Sequence, residues 1–181
     1  MKSISFIKSV FPFLLLILFY NCKSKADDPM QKTGNRIWTD SEMIQHFDSH
    51  KAGFDTLCCW MIEDKLEFMM LNSSDSRHLN KISEEKADRY IELMKDISVN
   101  MIARGNRLNF NSVIFYLPDF EGNDKKISRG FEYRIDTSQV YNGWRLLDAN
   151  EDLSEEVQVA QPDVFLYKPI NNHWSLLGFV L

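Results

Sequence analysis

The sequence predicts an α+β fold: two N-terminal helices packed on a C-terminal antiparallel sheet of about four or five strands. Three observations predict it. Apolar residues recur at helical spacing through the first half of the folded region. The period then shortens towards two after Leu108, and the chain closes on an unmistakable hairpin. Helices first and strands second is the α+β order.

Thr39-Asp40-Ser41-Glu42 matches a capping box, in which a hydroxyl and a Glu three residues on satisfy each other's backbone N–H groups. Met43, Ile44, Phe47, Phe54, Leu57, Cys58, Met61 and Ile62 follow on one stripe, which predicts a helix over 40–63 with Gly53 as a tolerated weak point. Residues 66–71 (LEFMML) fit either a short strand or an extension of that helix, and Asn72 to Asn80 reads as polar loop. Ser83 is placed to cap a second helix, with Glu84 and Glu85 favourable to the dipole in its first turn. Its stripe runs from Ala87 through Tyr90, Ile91, Met94 and Ile97 to Met101 and Ile102, and Gly105 stands where a C′ glycine would. The two helices are expected to pack antiparallel.

Leu108, Phe110, Val113, Phe115 and Leu117 mark a strand with an irregularity near Ser112. Pro118 to Asp124 is a turn-rich connection, and Phe131, Tyr133 and Ile135 alternate on the next strand. Trp144, Leu146 and Leu147 precede an acidic, helical or looped segment reaching Gln161. VFLYKPI and HWSLLGFVL then flank Asn171-Asn172, a pair suited to the positive φ of a two-residue type I′ turn. The last strand is apolar on both faces, so it should lie centrally.

The first 22 residues carry a different message. Lys2 and Lys8 precede an uncharged run from Val10 to Tyr20 (VFPFLLLILFY). Eleven helical residues span only about 16 Å, short of a hydrocarbon core of about 30 Å. The length and flanks fit a secretory signal rather than a membrane span, and Pro12 argues against a packed helix interior. The junction Leu18-Phe19-Tyr20-Asn21-Cys22 lacks the small residues of an ordinary cleavage site. It resembles a relaxed lipobox, with Asn21 where Gly, Ala or Ser is commoner. That resemblance implies a bacterial lipoprotein precursor: residues 1–21 a signal peptide, Cys22 acylated by palmitate-type chains, and 22–38 the lipidated cysteine with a flexible tether. Residues 39–181 then form a single α+β domain. Acyl chains contribute about 0.8 kcal/mol per buried methylene, and more than one chain anchors stably. Lys23 to Trp38 is polar and would reach an r.m.s. distance of about 20–25 Å.

Removal of residues 1–21 takes two lysines and no acids, leaving 19 basic against 26 acidic side chains, a formal charge of −7. An acidic domain of this kind is unsuited to nucleic acid, whose phosphates require a basic footprint. It is equally unsuited to anionic lipid, apart from Lys23 and Lys25 beside the anchor. After Cys22, only Cys58 and Cys59 remain. They are adjacent on a helix without C-x-x-C spacing, and read as two small apolar packing residues rather than a redox pair.

Four stretches, FDTLCCWMIEDKLEFM (54–69), SRGFEY (128–133), LLD (146–148) and YKPINNHWSLLGFVL (167–181), resemble a scattered set of small uncharacterised bacterial proteins, many of them lipoproteins. That set shares a helix ending in an acidic pair, a Lys-Gly-aromatic-x-Tyr strand and a final hairpin with Trp. Here Arg129 replaces the lysine, and Ser175 stands where an aromatic often follows Trp174. The likeness covers most of 40–181 and implies no activity.

Candidate chemistry is sparse. His46 and His50 stand four apart, so both rings would reach one metal, with Glu42, His78 or His173 available to complete a site. A zincin, however, would need Glu where Phe47 stands. The competing reading is two half-exposed histidines beside the core stripe. Asp148-Ala149-Asn150-Glu151-Asp152 begins like a calcium loop but meets Leu153 where glycine is required and Val159 where the bidentate Glu belongs. A solvated acidic face or a helix N-terminus explains it better. Ser83-x-x-Lys86 and Lys32-Thr33-Gly34 occur in the wrong order for an acyl-transfer enzyme, and Ser83 serves as a cap. Arg129-Gly130-Phe131-Glu132-Tyr133 is a faint RNA-binding pattern opposed by Glu132; Gly130 there reads as a bulge or a close strand approach. The set favours a membrane-anchored envelope lipoprotein, outer-membrane by its Lys23, with a binding or structural role and no cofactor. Its partners would be the membrane through the Cys22 lipid and an envelope protein or small ligand. Phe120, Tyr141 and Trp144, in turn-rich segments, are the candidate contact residues. The alternative is a metal-dependent or other hydrolase of the envelope.

Overall fold

A computed structural model describes residues 36–71, 82–105, 111–122, 125–138 and 143–180. It is α+β, as the sequence predicts, with three helices among the described residues and a larger and more mixed sheet than expected. The elements are α1 (Asp40–Glu63), β1 (Phe68–Met70), α2 (Glu84–Asp96), β2 (Met101–Arg104), β3 (Ser112–Tyr116), β4 (Phe120–Gly122), β5 (Lys125–Arg134), β6 (Trp144–Leu146), α3 (Leu153–Val159), β7 (Phe165–Pro169) and β8 (Trp174–Val180). Seven strands run in the order β1-β2-β3-β5-β8-β7-β6, and β4 pairs with β5 beyond the end of β3.

Two parts of the expected architecture are corrected. The helices do not both precede the sheet, because β1 lies between them and α3 among the strands. Nor is the sheet wholly antiparallel, since β6 pairs with β7 in parallel. Three-residue strands such as β1, β4 and β6 are too short to show an alternation, which is why only four or five strands were countable.

α1 begins and ends at the predicted residues. Thr39 and Glu42 form the full capping box, worth about 1 kcal/mol, and Arg36 pairs with the same Glu42. The C-terminus is a Schellman motif: Lys65 takes a φ of +54°, its N–H donates to Ile62 O, and Leu66 N–H donates to Met61 O. α2 ends identically, with Ser98 at φ +57°, Ser98 N–H on Lys95 O and Val99 N–H on Met94 O. Met101 and Ile102 therefore belong to β2 rather than to the helix, and Gly105 is not its C′ residue. The two helices are antiparallel, as expected: Gly53 approaches Leu93 and Ile97, Trp60 meets Tyr90, and Asp64 accepts from Lys86 and Tyr90. Gly53 is thus a point of close approach, where a Cβ would stand 2.7 Å from Ile97 Cγ2.

α1 and α3 lie on one face of the sheet, and α2 packs against α1. Phe47 and Phe54 of α1 meet Phe115, Phe131 and Trp174 at ring separations of 4.8–6.0 Å, an aromatic core of tilted and edge-on pairs. Val157 and Leu153 of α3 cover Gly178 of β8, on the same face as Trp174 by strand alternation. β8 lies between β5 and β7, the central place its two-sided apolar sequence demands. The β7–β8 hairpin itself departs from expectation. Neither Asn171 nor Asn172 has a positive φ, so the connection is not a type I′ turn. Instead Asn171 Oδ1 accepts the N–H groups of His173 and Trp174, and the loop widens to residues 170–173.

Trp38, assigned by sequence to the tether, is 4% exposed and packs on His46. Its carbonyl accepts from Arg129 Nη1 at 2.8 Å. The folded unit thus takes in the residues just before α1. Lys168 ties the same corner together, donating to Asp40 and to the Glu151 carbonyl. Gly130 confirms the close strand approach, for a Cβ there would sit 2.0 Å from the Phe115 carbonyl oxygen.

Candidate functional site

The histidine pair is brought together but spent on the fold. His46 is 1% exposed rather than half-exposed, because the stripe of α1 is wide enough to turn it inward beside Phe47. Its Nε2–H donates to the Ile97 carbonyl at 2.9 Å, and its ring lies among Trp38, Phe54 and Phe131. His50 stacks 4.4 Å away and donates from Nδ1 to the His46 carbonyl. Of the side chains proposed to complete a metal site, Glu42 is held by Arg36 and the Thr39 cap, and His173 stacks on Tyr133 at the hairpin. His78 lies outside the described residues. Among the described residues no three His, Cys, Asp or Glu side chains gather in a metal-binding cluster.

The acidic segment before α3 is a helix N-terminus. Asp152 caps α3 through Ser154; burial pushes its carboxyl up, but the hydrogen bonds from Ser154 and Glu155 outweigh this and hold it below the usual range. Glu151 accepts from the Asp148 N–H and, with Glu156, embraces Arg145. Ser83 caps α2, accepting from Lys86 N–H. Of the cysteine pair, Cys58 is buried and Cys59 exposed, and both are free thiols. Two neighbours on a helix point about 100° apart, so the expectation that both pack inside holds for Cys58 alone. Burial pushes the Cys58 thiol up to about 12.

Of the three proposed contact aromatics, Tyr141 lies outside the described residues. Phe120 and Trp144 sit on strands β4 and β6 rather than in turns. Trp144 leads to the surface that the sequence did not reveal. It stacks on Phe165 at 5.1 Å and 10°, Phe165 stacks on Phe179 at 5.2 Å and 23°, and Phe179 meets Tyr116 edge-on at 6.1 Å. These four half-buried rings come from β6, β7, β8 and β3. They form one run across the face of the sheet opposite α1 and α3.

The register explains the run. Trp144, Phe165, Phe179 and Ser128 are cross-strand partners, as are Tyr116, Gly130, Leu177 and Tyr167 in the next row. Gly130 and Ser128 leave β5 nearly bare between β3 and β8, so Tyr116 and Phe179 lean together above it. Beneath the rings is a cavity of about 30 Å³ bounded also by Ile114 and Leu177, room for about one water. Leu146 (52% exposed) and Met70 (39%) continue the same face on β6 and β1. One row further along, Glu132 is fully buried between Ile114 and Ser175. Burial, and secondarily Glu132, keep the Tyr116 hydroxyl protonated above its ordinary range. Arg134 bonds Ser175 and lies over the Tyr167 ring.

Two larger hollows are open surface. One, of about 540 Å³, is lined by Ser41, Ile44, Gln45, Asp48 and Ser49 of α1 alone. The other, about 460 Å³, lies beside the hairpin at Arg134, Thr137 and Asn172. No described helix is long and apolar enough to cross a membrane. No protein-family model matches the chain, and no curated protein and no solved structure matches it either.

Proposed function

We propose that this chain is a lipid-anchored envelope lipoprotein that binds a partner through the face of its sheet opposite α1 and α3. In this reading residues 1–21 direct export, Cys22 carries the lipid, and the tether holds the domain near the bilayer. The observation that carries the binding part is the run Trp144–Phe165–Phe179–Tyr116, whose half-buried rings no described helix covers. Aromatic rings fixed in mutual contact lose little entropy on association and are common anchors of interfaces. A cavity with room for one water suits a surface-to-surface contact better than an enclosed small ligand.

The anchoring part is tested by intact-mass analysis of the mature protein from membranes. An N-terminus at Cys22 heavier by its acyl groups is the expected result, and Cys22→Ala should release the protein to the soluble fraction. A mature chain without added lipid, or a Cys22→Ala variant still extracted with membranes, would contradict it.

A further inference from the structure

We draw no further inference here: the strongest candidate, the apolar face of the sheet running from Met70 on β1 to Leu146 on β6, belongs to the binding surface already proposed, and nothing among the described residues shows which partner covers it.

Discussion

At the residue scale, Cys58 and Cys59 are chemically distinct despite being neighbours. A thiolate is the reactive form, so the exposed Cys59 should be alkylated within the native protein while Cys58 waits for unfolding. Timed mass spectrometry with iodoacetamide should show one addition to the folded domain of a Cys22→Ala chain and two in denaturant. Two additions at equal rates would show that Cys58 is not buried. The same burial fixes a pH dependence. Folded Cys58 titrates near 12 against an ordinary 9.0. Its contribution is therefore intact below pH 9. Stability is lost as pH rises from there towards 12, because the unfolded chain ionises first. Mutating Cys58 to Ala should flatten that alkaline limb in urea titrations.

His46 shows why spacing alone overstated a metal site. Two imidazoles four apart can share an ion only if their free nitrogens converge on open space. Here His46 commits Nε2 to the Ile97 carbonyl inside an aromatic enclosure. Replacing His46 with Ala opens a cavity and strips that carbonyl of its donor, a loss of about 2–4 kcal/mol. His50→Ala, on a half-buried ring, should cost less than about 1 kcal/mol. Equal losses in chemical denaturation, or zinc raising the Tm of the parent and not of the double variant, would favour the metal reading.

At the scale of elements, the helix starts were legible and the second stop was not. Thr39 and Ser83 announce themselves by side-chain chemistry, so both caps stand where the sequence placed them. Both helices end on a left-handed residue that is not glycine, Lys65 and Ser98. Without that glycine, the apolar rhythm of α2 ran on unbroken into β2. Left-handed backbone costs an L-residue about 1–2 kcal/mol, partly offset in glycine by its extra unfolded-state freedom. Ser98→Gly should therefore stabilise the domain by about 0.5–1 kcal/mol, read as a rise in urea midpoint; a fall would mean that the serine side chain matters more than its backbone.

Gly53 and Gly130 are opposite tests of packing. Alanine gains about 1 kcal/mol of helix propensity over glycine, but at Gly53 its Cβ would press on Ile97, 2% exposed and branched, where overpacking costs about 1–3 kcal/mol. Packing should win, so Gly53→Ala lowers the Tm. At Gly130 the obstacle is the Phe115 backbone itself, which cannot rotate away. Gly130→Ala should part β3 from β5 and abolish cooperative unfolding; a variant folded with parental stability would refute the close approach.

At the scale of the whole molecule, the α+β class was readable because long amphipathic helices and a closing hairpin leave periodic traces. The sheet order, the parallel β6–β7 pair and the face assignments were not, since they depend on contacts between residues remote in sequence. Tyr116, Phe165 and Phe179 were missed as site residues for that reason. Nothing local marks them out, and only the register sets them beside Trp144. The one visible trace was the two-sided apolar character of β8, which placed apolar side chains on both faces of the sheet centre.

The proposed binding role is tested most directly by photo-crosslinking from opposite faces of the anchored protein in intact cells. A benzophenone residue at Leu146, 52% exposed on the aromatic face, is compared with one at Val159, 75% exposed at the end of α3 on the opposite side. Binding through this face should give a discrete crosslinked species from position 146 and none from 159, lost when Trp144 is replaced by Ser in a chain whose circular dichroism is unchanged. Equal crosslinking from both positions, or none from 146, would contradict a binding surface on the aromatic face.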